Sequence, residues 1–194
     1  MRVKTLLLCI ALMLTLAAST AAQDKKKSKD DYTKHPGYID FDPADIFGDA
    51  EAKVEVNLKQ PMLNLVSKFA KEEDPELVEL LGKLALVRVQ VYEADAELIK
   101  KFETESSKAV KELDNKGWER IVKVRDGYER VIVYLKPSSD YEYIQGIVVI
   151  AVEFDEAVFV NIVGDIHPED IDDLGEYLGI EELDSIRYET KKGK

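Results

Sequence analysis

From Trp118 to Val163 the chain is a succession of β-branched and aromatic segments: Trp118 to Arg125, Arg130 to Lys136, Ile144 to Phe154 and Ala157 to Val163. Between them stand only Asp126-Gly127, Pro137-Ser138-Ser139-Asp140 and Asp155-Glu156. Side chains of these types suit a pleated, half-buried surface, and breaks this short suit antiparallel hairpins. The third segment constrains the fold most. Ile147-Val148-Val149-Ile150-Ala151-Val152 is apolar at both parities, so it belongs in a central strand with helices on one face and a further cover on the other.

The first half of the chain supplies helices and two more strands. Val54, Val56 and Leu58 alternate with Glu55 and Asn57, the period of a half-buried strand. Pro61 opens a helix carrying Leu63, Val66 and Ala70 along one side, with Leu65 and Phe69 beside them. Asp74-Pro75 starts a short helix to Leu84, because the Asp side chain can accept from free N–H groups and Pro loses nothing at the first helical position. Val87, Val89 and Val91 alternate with Arg88 and Gln90 in a second strand. Asp95 caps a long helix to Asn115, which Gly117 terminates. A last helix starts at His167-Pro168 and carries Ile171, Leu174 and Leu178. The predicted fold class is α+β, a two-layer sandwich with a mixed, mainly antiparallel sheet and helices packed on one face.

The termini bound the domain. Arg2 and Lys4 precede an apolar run from Leu6 to Leu16 and the small residues up to Ala22, which is the make-up of a secretory signal peptide. The run is too short to span a bilayer, so no membrane span is expected in the mature form. Residues 1–22 are read as the leader, 23–36 as a disordered linker, 37–188 as one α+β domain and 189–194 as a disordered tail. Tyr38, Ile39 and Phe41 could dock on the domain surface. Cys9, the single cysteine, falls inside the leader and precedes further apolar residues; it neither forms a disulfide in the mature chain nor stands where a lipidated cysteine would. The expected address is the periplasm or the extracellular medium.

Charge excludes whole classes of target. Arg2 and Lys4 are the only charged residues of the leader, so the 27 basic residues become 25 against 39 acidic ones, a formal −14. Nucleic acids and anionic lipid are bound through local excesses of Lys and Arg, and neither is expected as a partner. The run Lys25, Lys26, Lys27 and Lys29 adjoins Asp30 and Asp31 in a segment with no apolar residue, which makes it a solvated tail.

The inventory for catalysis is thin. His35 falls in the predicted linker, where no group is held to the tolerance chemistry needs, and His167 precedes a helix-starting Pro. No nucleophile elbow, zinc-protease helix, phosphate loop or dinucleotide fingerprint occurs. Asp165, Glu169, Asp170, Asp172 and Asp173 crowd the start of the final helix; they complement its dipole, and they could also chelate a hard cation. Asp40, Asp42, Asp45 and Asp49 imitate part of a calcium loop, but Ala44 and Asp45 break the pattern. Glu153, Asp155 and Glu156 mark a strand end and hairpin tip, an ordinary place for charge. Tyr128, Tyr134, Tyr141 and Tyr143 cluster in the hairpin region. With Ile121 and Ile132 they could form an exposed sheet surface opposite the helices, fit for a protein partner, or simply pair across strands and cover the sheet.

The chain resembles an exported bacterial family known only as domain of unknown function 4252. The likeness rests on Pro36-Gly37-Tyr38-Ile39-Asp40-Phe41 ahead of Val54-Glu55-Val56-Asn57-Leu58, on Asp74-Pro75-Glu76-Leu77, on Gly117-Trp118-Glu119 and on Val160-Asn161-Ile162-Val163-Gly164-Asp165-Ile166. It implies a bacterial, extracytoplasmic domain of unsettled function with no catalytic residue to carry over. Lipoproteins occur among such relatives, and the leader here departs from that pattern. The expected function is a non-enzymatic exported domain that binds a protein or envelope component through its sheet or its Tyr-rich hairpins. Two alternatives stand beside it: a carrier of a small apolar ligand between sheet and helices, and a metal-assisted hydrolase using Asp165, Glu169 and Asp170. No catalytic, cofactor-binding or metal-ligating residue is assigned, and no cofactor is expected.

Overall fold

The hairpin-forming segments close into one six-stranded sheet. The computed structural model describes residues 32–70, 74–93, 95–127, 129–171 and 173–174. Its strands are β1 (Val54–Lys59), β2 (Leu84–Glu93), β3 (Glu119–Asp126), β4 (Glu129–Pro137), β5 (Ile144–Glu153) and β6 (Glu156–Ile166), in the spatial order β1-β2-β6-β5-β4-β3. Among the described residues four helices of defined extent accompany them: α1 (Ala44–Phe47), α2 (Gln60–Ala70), α3 (Pro75–Lys83) and α4 (Ala96–Asn115). The α+β class holds. Every strand pairing is antiparallel, where a mixed, mainly antiparallel sheet was expected. The cause lies in the β1–β2 connection: two helices packed on one another return the chain to the end of the sheet it left, so Lys59 at the end of β1 pairs with Leu86 near the start of β2.

Local signals set the helix ends. Asp74 Oδ1 accepts from Leu77 N–H at 2.9 Å, with Pro75 as the first helical residue. Asp95 Oδ1 accepts from Glu97 and Leu98 N–H, each at 3.0 Å. At the far end of α4, Gly117 takes φ +73°, and Trp118 N–H returns to Leu113 C=O at 3.2 Å, a closure that favours glycine.

Cross-strand neighbours share a face, and the registers sort the sheet into two. On the first face Arg88, Gln90 and Tyr92 of β2 lie beside Asn161, Phe159 and Ala157 of β6, which lie beside Val148, Ile150 and Val152 of β5. Tyr134 and Ile132 of β4 continue the rows. This face packs with Ile39, Ile46 and Phe47 of the lead-in and α1, Phe102 and Leu113 of α4, and Trp118. The second face is aliphatic: Val56, Val89, Val160, Val149 and Val133 form one row across five strands, and the last four are buried. The helical pair α2 and α3 packs against β1, β2 and β6. Gly164 makes one of these contacts possible, since a Cβ there would lie 2.3 Å from Lys83 O.

Tyr32–Pro168 forms one compact unit, and the described residues from Glu169 onward belong to a second. In that second unit Ile171 and Leu174 are buried, and a 3-10 turn, Pro168–Asp170, precedes them. The predicted leader at 1–22, most of the predicted linker, Leu178 and the predicted tail at 189–194 lie outside the described residues. The end of that linker differs from expectation: Tyr32–Lys34 forms a 3-10 turn and His35 is half-buried.

Candidate functional site

The polar side chains of the first face hold the lead-in segment 35–42 onto the sheet. Asn161, fully buried, accepts from Ile39 N–H at 3.3 Å through Oδ1 and donates through Nδ2 to Gly37 O at 3.0 Å and Ile147 O at 3.2 Å. Arg88 Nη2 donates to Ile39 O at 3.2 Å and Phe41 O at 2.8 Å, and its guanidinium lies 4.9 Å from the Phe159 ring centroid and 5.8 Å from that of Tyr38. Gln90 Nε2 donates to Asp42 Oδ1 at 3.0 Å. Each contact satisfies a backbone or side-chain group that would otherwise be buried without a partner. The crossing is backbone on backbone: a Cβ on Gly37 would lie 1.8 Å from Gln145 O, and one on Gly146 would meet Gly37 Cα at 2.5 Å.

His35 belongs to this latch. Its Nδ1 accepts from Gly37 N–H at 3.1 Å, which requires a neutral ring with the proton on Nε2. Nε2 faces Asp165 Oδ1 at 3.8 Å. Burial, the larger effect, holds the imidazole pKa below its ordinary value, and the Asp165 charge opposes it. His35 is therefore a positioned group rather than part of a floppy linker. His167, by contrast, is exposed beside Pro168.

Asp42 and Glu156, from two of the acidic clusters, have structural partners. Asp42 Oδ1 accepts from Ala44 N–H at 3.0 Å, at the start of α1, as well as from Gln90. Glu156 and Glu93 flank the Lys53 ammonium, with Glu93 at 2.9 Å, and these bonds raise the lysine pKa. Among the described residues, no three His, Cys, Asp or Glu side chains gather closely enough to hold a metal ion. Asp172 lies outside the described residues.

The aromatic cluster of the hairpins is split. Tyr134 does not lie opposite the helices: it is fully buried on the first face, and its hydroxyl donates to Asp114 Oδ1 of α4 at 2.7 Å. Burial, with the bond to Asp114, pushes its pKa up to about 12. Ile132 is half-buried against the same core. Tyr128 lies outside the described residues.

Tyr141 goes the other way, 70% exposed at the β4–β5 turn. Ser138, itself buried, braces that turn. Its N–H donates to Tyr143 O at 2.9 Å, its carbonyl accepts from Tyr141 N–H at 3.1 Å, and its hydroxyl donates to Asp140 Oδ1. The bonds from Ser138 and from Glu142 N–H lower the Asp140 pKa. Tyr141 sits at φ +60°, in the left-handed region, and its hydroxyl donates to Glu119 Oε1 at 3.2 Å. An aromatic ring is thus held outward, next to the first residue of edge strand β3.

Sequence reasoning missed the latch. Arg88 and Gln90 look like the solvent side of an alternating strand, yet both are buried. The usable signal was Asn161, a lone amide within Val158-Phe159-Val160-Asn161-Ile162-Val163, where burial demands a partner.

Among the described residues no helix is long and apolar enough to cross a membrane. The sequence model of the family described as Domain of unknown function (DUF4252) matches residues 47–174. No curated protein and no solved structure matches the chain.

Proposed function

The chain belongs to the family of domain of unknown function 4252, and from that premise we propose that it is an exported, non-enzymatic domain that binds a protein partner of the periplasm or cell surface through the Tyr141 turn. The observation that carries this reading is the placement of that ring. A non-glycine residue at positive φ costs roughly 1 kcal/mol, and leaving an aromatic side chain in water gains nothing for the fold. The surrounding Ser138 and Asp140 bonds nevertheless hold it there. Rigid, exposed tyrosines are efficient contact residues because little freedom is lost on binding.

The carrier reading finds less support. The space between α4 and the first face, where it would place a ligand, is filled by rings: Phe47 stacks on Tyr92 at 4.3 Å, and Phe41 meets Phe159 at 5.1 Å.

Tyr141→Gly tests the proposal, because glycine accepts φ +60° and only the ring is lost. The variant should unfold at the same or a higher urea concentration than the parent, while a partner captured by the parent from envelope extracts disappears. Retention of every captured protein by the variant refutes the assignment. So would substrate turnover by the purified protein that Asp165→Asn or His167→Ala abolishes without unfolding it.

A further inference from the structure

Resting on the protein-binding reading, we infer that the open edge of β3 takes up an extended acidic peptide as a seventh strand. Among the described residues β3 ends the sheet, and one side of its backbone has no strand partner there, which makes it a template for strand addition. Most of it is exposed, and Val124 keeps 43% of its surface in water on the second face. Its pairing with β4 sets Arg120 beside Tyr134, Lys123 beside Ile132 and Arg125 beside Arg130, while Val122 and Val124 pair with Val133 and Val131. A bulge between Arg120 and Val122 brings all three cations onto the first face.

In a chain with 39 acidic residues, Arg120 is engaged with the Tyr134 side chain, while Lys123 and Arg125 are left to an outside partner. Four acids of α4 have other partners: Glu103 pairs with Arg130, Glu105 with Lys108, Glu112 with Lys116, and Asp114 with Tyr134. Among the described residues Lys123 and Arg125 are in no ion pair.

The charge row selects the occupant. A second copy adding edge to edge through β3 would oppose cation to cation, which is destabilising across strands. An acidic strand gains both the backbone bonds and the charge pairs. Pleat geometry sets its pattern: residues opposite Lys123 and Arg125 share the first face and are acidic, and the residue between them faces Val124 and is apolar. The Tyr141 ring stands at the Glu119 end and gives the incoming strand an aromatic stop.

The test uses a capped, dye-labelled peptide of the length of β3 that alternates Glu and Val, titrated into the full protein, with amide exchange read in parallel. Saturable binding should slow exchange along Glu119–Asp126, weaken with added NaCl and fall about tenfold in Lys123→Glu/Arg125→Glu. If that variant loses its β-sheet dichroism, Lys123→Gln/Arg125→Gln replaces it. A peptide alternating Lys and Val should not bind. The inference is overturned by absence of saturable binding, by equal affinity for the charge variant, by protection confined to β1, or by equal binding of a single-stranded oligonucleotide, which would mark a generic polyanion site. Failure here, with partner capture still lost in Tyr141→Gly, would sink strand addition alone.

Discussion

One amide holds three backbone groups in this protein. Asn161 satisfies Ile39 N–H, Gly37 C=O and Ile147 C=O in a fully buried position, so Asn161→Leu leaves all three without it. An unsatisfied buried polar group costs about 1–3 kcal/mol, and the variant should lose at least about 2 kcal/mol in urea unfolding; a loss below about 0.5 kcal/mol would mean that the lead-in does not depend on this latch. His35 adds a pH dependence. Because burial lowers its pKa in the folded state, the unfolded chain takes up the proton first, at about pH 6.5. The contribution of His35 is complete above that value and is lost as the pH falls toward the lower folded value. The urea midpoint should therefore drop between about pH 7.5 and about pH 5.5, and His35→Asn, which keeps an acceptor for Gly37 N–H but cannot titrate, should flatten the drop. Equal slopes in parent and variant would remove His35 as the source.

At the scale of elements, most of the fold was legible because each signal was local. The caps at Asp74 and Asp95, the proline at Pro75 and the turn at Gly117 acted through groups within a few residues, and α3 and α4 begin and end where those residues put them. The strands followed their β-branched runs to within a few residues. What could not be read was which side of an alternating strand would be covered. The cover for Arg88 and Gln90 comes from residues 39–42, nearly fifty positions earlier, and no period in the strand encodes that. For the same reason Tyr134 was legible as a strand residue but not as a partner of Asp114. The candidate surface was legible only as a group of tyrosines, since nothing in composition separates the ring held outward at Tyr141 from the one sealed inside at Tyr134. Turn chemistry supplies a further test. Glu153 pairs with Glu156, leaving Phe154-Asp155 as the turn, and Phe154 lies at φ +46°, where asparagine is tolerated far better than phenylalanine. Phe154→Asn should raise stability by about 0.5–1 kcal/mol; a decrease would show that the Phe154 ring stabilises the fold.

At the scale of the whole molecule, two kinds of contact differ sharply in reach. β3, β4, β5 and β6 are consecutive in sequence and form hairpin neighbours, so each pairing closes a short loop. The pairing of β2 with β6 joins Val89 to Val160, and the lead-in bonds to Asn161 span 122 and 124 residues. Closing longer loops costs more chain entropy before any contact returns it. The β3–β6 meander should therefore be organised in the folding transition state, with β2 joining later and the lead-in last. Paired truncations test this order. Val149→Ala, in the meander, should slow folding, with a φ-value of about 0.5 or more, whereas Ile39→Ala, in the lead-in, should leave the folding rate nearly unchanged and speed unfolding, with a φ-value of about 0–0.2. Both side chains are buried, so each truncation should cost enough stability for the ratio to be measured. The reverse result, a folding rate set by Ile39 and indifferent to Val149, would make the lead-in the nucleus on which the sheet assembles.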